Sequence, residues 1–189
     1  DQTSLSVLLC VLFILFLEFL SISFPENKLD SFHDGQKLSS AFKSFLDGSL
    51  WSGSFVTTGI FLETLNSKII WYLFDDISIG LARYSEILLI FFFKISLTFF
   101  IYYFTNFLKL DFSNKNIFFI FNSLVLNYLS DYLPGVDLIN FRELPIIFLS
   151  IFFLFLIRNN NHIIFLFFIS LLSTSSLIWG IDRGLICNL

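Results

Sequence analysis

Residues 87–108 read ILLIFFFKISLTFFIYYFTNFL. The stretch is 22 residues long and carries one charge, Lys94, with Tyr102 and Tyr103 toward its far end. A helix needs about 20 mostly apolar residues to cross a bilayer. The stretch meets that length, so its expected solvent is hydrocarbon. Residues 4–24, SLSVLLCVLFILFLEFLSISF, repeat the pattern with one charge, Glu18, and Pro25 behind them as a stop. Two further apolar runs sit near the C-terminus. Residues 144–157, LPIIFLSIFFLFLI, reach only about 21 Å at 1.5 Å per residue. Upstream residues extend that span to 141–157, with Arg142 snorkelling toward the surface. After the polar turn RNNNH, residues 163–181 form the last span, antiparallel to the one before.

The segments between these runs are amphipathic. Leu38, Phe42, Phe45 and Leu46 recur at helical spacing over residues 37–47, with Gly48 as a stop. Residues 53–74 are long enough to cross but hold Glu63, Asn66 and Lys68 mid-segment. Each charge at a helix centre costs about 2.5–3.5 kcal/mol on insertion. Leu62, Leu65, Ile69 and Leu73 share a face, so an interfacial helix anchored by Trp71 and Tyr72 is expected, against a crossing buried within a complex. Residues 75–86 read as a charged connection. In residues 117–133, Ser123, Asn127 and Asp131 line one polar face. The expected fold is all-α: a single polytopic membrane domain over residues 1–189, with about four transmembrane helices plus amphipathic interfacial helices.

Composition supports that solvent. The chain has 189 residues, 56% of them hydrophobic and only 14% charged, against about 25% charged in a soluble domain. Its mean hydropathy is +0.83. The net charge of −4 argues against nucleic acid as a partner. Cys10 and Cys187 are far apart and outside any CxxC, so two free thiols are expected rather than a disulfide or zinc site. Methionine is absent, so Asp1 reads as a processed terminus or the start of a fragment. The first segment lacks a basic n-region and a small-residue cleavage site, and reads as a mature span. Apart from Lys94, which lies within a span, the other ten lysines and arginines divide six to four between the two sides, too evenly to orient the chain by the positive-inside rule.

A second skew has no physical cause in the bilayer. Phenylalanine supplies 29 residues while alanine occurs only at Ala41 and Ala82, although small residues are favoured where membrane helices pack. Residues with AT-rich codons are in excess and those with GC-rich codons are scarce. In this the whole chain resembles hydrophobic subunits encoded in AT-rich organelle genomes, above all the mitochondrial genomes of protists such as ciliates. The resemblance implies the mitochondrial inner membrane and a respiratory assembly, and it points to no single family. Cytochrome b and the catalytic oxidase subunit need helix-borne histidines, whereas His33 and His162 fall in expected loops. The rotor ring of the ATP synthase needs a glycine-rich hairpin with a buried carboxylate, and its stator a-subunit an arginine within a long helix. Neither is present. The antiporter-like subunits of NADH dehydrogenase carry many more spans.

Two places could carry chemistry. Glu18 lies six residues before the end of the first span, and Lys94 lies seven residues after the start of the second. If residues 25–86 stay on one side, both sit about 9–11 Å below the same surface. A carboxylate and an ammonium at equal depth should pair, since each alone is expensive in lipid. Such a pair is a proton relay or structural glue; the competing reading gives each its own partner or lets it snorkel. Arg158 and His162 are candidates for the headgroup of an anionic lipid such as cardiolipin, against a plain solvated turn. The Ser-rich run at 172–176 should bond to backbone or a neighbouring helix. No catalytic residue, metal ligand or cofactor is expected. The expected role is an auxiliary membrane subunit of a respiratory complex or the ATP synthase, partnered by other subunits and lipids. The alternatives are a proton-conducting subunit of NADH dehydrogenase and a small free-standing transporter.

Overall fold

The computed structural model describes residues 3–21, 33–48, 59–132, 141–158 and 162–188. Among these the protein is all-helical, with 91% of residues in helix and no strand. The helices are α1 (Leu5–Ser21), α2 (His33–Asp47), α3 (Asn66–Phe74), α4 (Ile79–Phe107), α5 (Phe112–Tyr132), α6 (Leu144–Arg158), α7 (His162–Trp179) and α8 (Ile181–Asn188). They form two compact units, one of Asp1–Ser23 with Ile90–Leu172 and the other of Phe24–Leu89 with Ser173–Leu189.

Several boundaries differ from the expected ones, each for a local reason. Of the charged stretch 75–86, only residues 75–78 form a connection, and 79–86 are helical. Ser78 accepts the Leu81 N–H on its hydroxyl at 3.2 Å and the Ala82 N–H on its carbonyl, which makes it the N-cap of α4. That start gives α4 29 residues, and among the described residues it alone is long and apolar enough to cross a membrane. Helix α5 starts at Phe112 rather than 117, because Asp111 stands before it and its carbonyl takes the Lys115 N–H at 2.9 Å. A 3-10 turn, Phe141–Glu143, precedes α6, so the helix begins at Leu144 and Arg142 lies outside it. Helix α7 ends at Trp179, two residues early, and Gly180 breaks the chain into the unforeseen α8. At 1.5 Å per residue, the 17 described residues of α1 and the 15 of α6 span about 26 and 22 Å, short of a ~30 Å core.

In the first unit α1 runs antiparallel to α4. Thr3 N–H donates to Asn106 Oδ1 at 2.6 Å near one end, and Lys94 meets Glu18 near the other. Helix α5 is likewise antiparallel to α4, because Asn127 bonds Thr98 and Phe119 packs on Tyr102 with ring centroids 5.8 Å apart. Helix α6 and the start of α7 form the expected hairpin. Phe152 stacks on Phe168 at 5.5 Å and Phe155 on Phe165 at 5.8 Å, two aromatic pairs in one antiparallel register.

In the second unit, the described part of residues 53–74 turns Ile69 and Leu73, from the apolar face read in the sequence, outward. A π turn, Phe61–Leu65, leads into α3. The buried side of this segment joins Glu63, Thr64, Asn66 and Ser67 to Ile70 and Trp71, while Ile69 and Leu73 are exposed. Ser40 and Thr64 share a hydroxyl hydrogen bond of 2.6 Å, and Lys68 donates to Ser44 O and Oγ. Trp71 is no surface anchor. It is buried among Ala41, Ile70 and Ala82, and its ring N–H donates to Ser78 O at 2.7 Å; Tyr72 beside it is exposed. Gly48 follows α2 in the left-handed region, with φ of 71°, a conformation suited to a helix end.

The α7–α8 turn packs backbone on backbone. A Cβ added at Gly184 would lie 2.5 Å from Leu177 Cα, and Ser173 Oγ donates to Cys187 O at 3.0 Å. Gly184→Val should therefore cost about 1–3 kcal/mol through forced repacking. Gly35→Ala, where an added Cβ meets nothing within 4 Å, should be neutral or slightly stabilising. Unfolding midpoints in detergent, followed by circular dichroism, distinguish the two.

Candidate functional site

The chemistry-bearing groups of the first unit converge on one face of α4. Lys94, Thr98 and Thr105 recur at four and seven residues, close to whole helical turns, and all three are buried. Lys94 Nζ lies 2.7 Å from Glu18 Oε1, with side-chain exposures of 10% and 27%. The ammonium also sits 5.3 Å from the centre of the Tyr128 ring, within cation–π range. α1 therefore supplies the counter-charge and α5 the aromatic face.

One turn further along α4 the row continues in neutral groups. Thr98 Oγ1 donates to Lys94 O at 2.8 Å and accepts from Asn127 Nδ2 at 3.1 Å. Asn127 Nδ2 also reaches Ser123 O at 2.8 Å. Buried Ser123 and Asn127 are the polar face read from residues 117–133, turned inward against α4 rather than outward to an interface. Asp131, on the same expected face, has its side chain outside the described residues. Leu8, Val11 and Leu15 close the α1 side of the unit with apolar surface.

The row is not fully satisfied from within. Glu18 Oε2, Thr105 Oγ1, Ser123 Oγ and Asn127 Oδ1 are buried and meet no hydrogen-bond partner among the described residues. Polar atoms so placed recruit internal water or cost about 1–3 kcal/mol each. The arrangement can therefore hold two opposite charges in a low-dielectric interior beside a short series of neutral donors and acceptors. Among the described residues no group of three or more His, Cys, Asp or Glu could hold a metal ion.

The second predicted site lies only partly among the described residues. Arg158 closes α6 and is exposed on the rim of a cleft with Tyr103 and Asn106. His162 opens α7, but its side chain lies outside the described residues. Cys10 and Cys187 are both free thiols. Ser173 and Ser176 bond backbone carbonyls, as the Ser-rich run predicted. Thr98 and Thr105 were not among the expected site residues, although they follow Lys94 by four and eleven residues, close to whole helical turns; a hydroxyl in an apolar helix is a weak signal. In the second unit, Lys37 and Arg83 converge on Glu86, each at 3.1 Å. This cluster was also unread, because it needs α4 to begin before Ile87. The chain matches no protein-family model, no curated protein and no solved structure.

Removing one member of a buried pair strands the other charge, whereas removing both removes the debt. Lys94→Met should destabilise the protein by about 3 kcal/mol, and Glu18→Met/Lys94→Met by much less. A double-mutant cycle on the midpoint of denaturation in detergent reads that coupling.

Proposed function

We propose that this chain is an auxiliary, structural membrane subunit of a mitochondrial inner-membrane respiratory assembly, either an electron-transfer complex or the ATP synthase. One observation carries the reading: the distribution of polarity is reversed. Thirty-eight large apolar side chains are exposed among the described residues, against fifteen buried apolar ones, while sixteen polar or charged residues are buried. A water-soluble monomer rarely shows large contiguous apolar patches. The most apolar part of α4 is only 33% buried, whereas a soluble core helix would be largely covered.

In this reading α4 crosses the bilayer, and α1, α6 and α7 cross with it as shorter spans. A short span is accommodated by local thinning and by snorkelling at its ends, and Arg142 and Arg158 flank α6 for that purpose. The Glu18–Lys94 pair clasps α1 to α4. Apolar residues on the polar helices α2 and α3, such as Phe42, Leu46 and Leu73, meet protein neighbours in the assembly. The mitochondrial setting rests on the Phe-rich, Ala-poor composition.

A second reading is a proton-conducting subunit. It is favoured by Glu18, whose Oε1 meets Lys94 while its buried Oε2 meets no described partner. That oxygen offers a place for a proton to arrive, with Asn127 and Ser123 further along the row.

Alkaline carbonate extraction of mitochondrial membranes should leave the chain in the pellet, and a native gel should place it in one high-mass band. A chain that is monodisperse in detergent-free buffer overturns the proposal. Lys94→Leu should weaken assembly; an assembled complex with lost proton transfer would instead favour the relay.

A further inference from the structure

The first unit contains a cleft of about 290 Å³ between the C-terminal ends of α4 and α6, lined by Tyr103, Asn106, Phe107, Leu154, Phe155 and Arg158. We propose that this cleft binds one anionic phospholipid, with an acyl chain against the aromatic wall and the phosphate on Arg158. The inference rests on the membrane reading above and adds a site, a ligand class and a headgroup preference to it.

The lower wall is apolar and shaped. Tyr103 packs edge-on to Phe155 with centroids 4.7 Å apart, and Phe107 is exposed beside them. A volume of about 290 Å³ is at the small end of ligand pockets. It suits one hydrocarbon chain rather than a whole lipid, the remainder of which would lie in the surrounding bilayer.

The upper rim consists of donors. The Arg158 guanidinium makes no ion pair or hydrogen bond with another described residue. Asn106 spends its Oδ1 on the Thr3 N–H, which leaves its Nδ2 donors directed elsewhere. Lys109 lies three residues beyond Asn106, is exposed, and makes no ion pair with a described residue. Arginine presents a fork of N–H donors that matches a phosphate. The two helix ends are C-terminal, so their dipoles oppose an anion. Side-chain cations must supply the attraction, and this makes Arg158 the deciding residue. The level is also right: Tyr102 and Tyr103 sit in the last turns of α4, where interfacial aromatics gather.

The full chain, purified in detergent from membranes holding equal phosphatidylglycerol and phosphatidylcholine, should retain phosphatidylglycerol preferentially, about one per chain, by native mass spectrometry. Arg158→Gln should reduce that preference about fivefold, with helicity unchanged because the side chain is exposed. Phe107→Ser, also exposed, should lower retention of both lipids. An unchanged ratio in Arg158→Gln overturns the proposal, as does complete displacement of phosphatidylglycerol by inorganic phosphate at equal concentration. Retention of neither lipid by a chain that stays soluble without detergent would overturn the membrane reading itself.

Discussion

The ion pair between Glu18 and Lys94 sets the register of the first unit. At 2.7 Å and an effective dielectric of 20, the attraction is about 6 kcal/mol. Desolvation of the two ions costs several kcal/mol each. The net contribution to stability is therefore small, but the penalty for any other alignment of α1 on α4 is large. A slip by one turn would leave both charges unpaired in an apolar interior. Thr3, just ahead of α1, on Asn106 at the other end adds a second fixed point, 15 residues before Glu18 and 12 after Lys94. Two polar contacts separated by Leu8, Val11 and Leu15 hold a helix whose apolar surface is otherwise uniform and would accept many alignments.

The same logic explains why polar residues lie inside both units. Thr98 and Asn127 bond each other and backbone carbonyls, while Ser123 Oγ and Asn127 Oδ1 meet no described partner, and a buried polar atom left so costs about 1–3 kcal/mol unless water reaches it. In the second unit, Ser40 and Thr64 share a hydrogen bond across α2 and the π turn, and Lys68 donates to Ser44 Oγ. Small polar residues also allow close approach, a role usually given to alanine and glycine. With two alanines in the chain, serine and threonine take over that task, and phenylalanine fills the remaining space by stacking, as between α6 and α7.

Helix type and the helical hairpin were legible because apolar runs bounded by polar turns have few other readings. A pairing of Glu18 with Lys94 was one reading of their positions, beside separate partners for each, and the two side chains meet at 2.7 Å. The packed faces were not legible. Leu62, Leu65, Ile69 and Leu73 read as the outer side of an interfacial helix, and Ile69 and Leu73 are indeed exposed. The packed side of residues 59–74 mixes Glu63, Thr64, Asn66 and Ser67 with Ile70 and Trp71, a mixture that the leucine spacing does not reveal. The start of α4 escaped because Asp75, Asp76, Arg83 and Glu86 resemble a loop by charge, while the single decisive signal was the hydroxyl of Ser78. Trp71 escaped for a related reason: indole is common at interfaces, but a ring N–H that finds Ser78 O can be buried at little cost.

An uncovered apolar surface has two available partners, lipid and protein, and charge decides between them. On α1 and α7 the exposed side chains form nearly unbroken apolar surface: Leu9, Phe13 and Leu17 on the one, Ile163, Leu166 and Phe167 on the other. Nothing charged interrupts them, and lipid tails suffice. On α2 the exposed Phe42 and Leu46 stand beside Lys43 and Asp47, and near the end of α3 the exposed Leu73 and Phe74 run into Asp75 and Asp76. A surface so mixed is poorly served by hydrocarbon, which rejects the charges, and by water, which rejects the rings. Another protein surface can pair the charges and cover the rings together. The division of exposed faces into purely apolar and mixed is therefore the strongest internal argument for a subunit over a free-standing transporter, whose outer wall would need only the first kind.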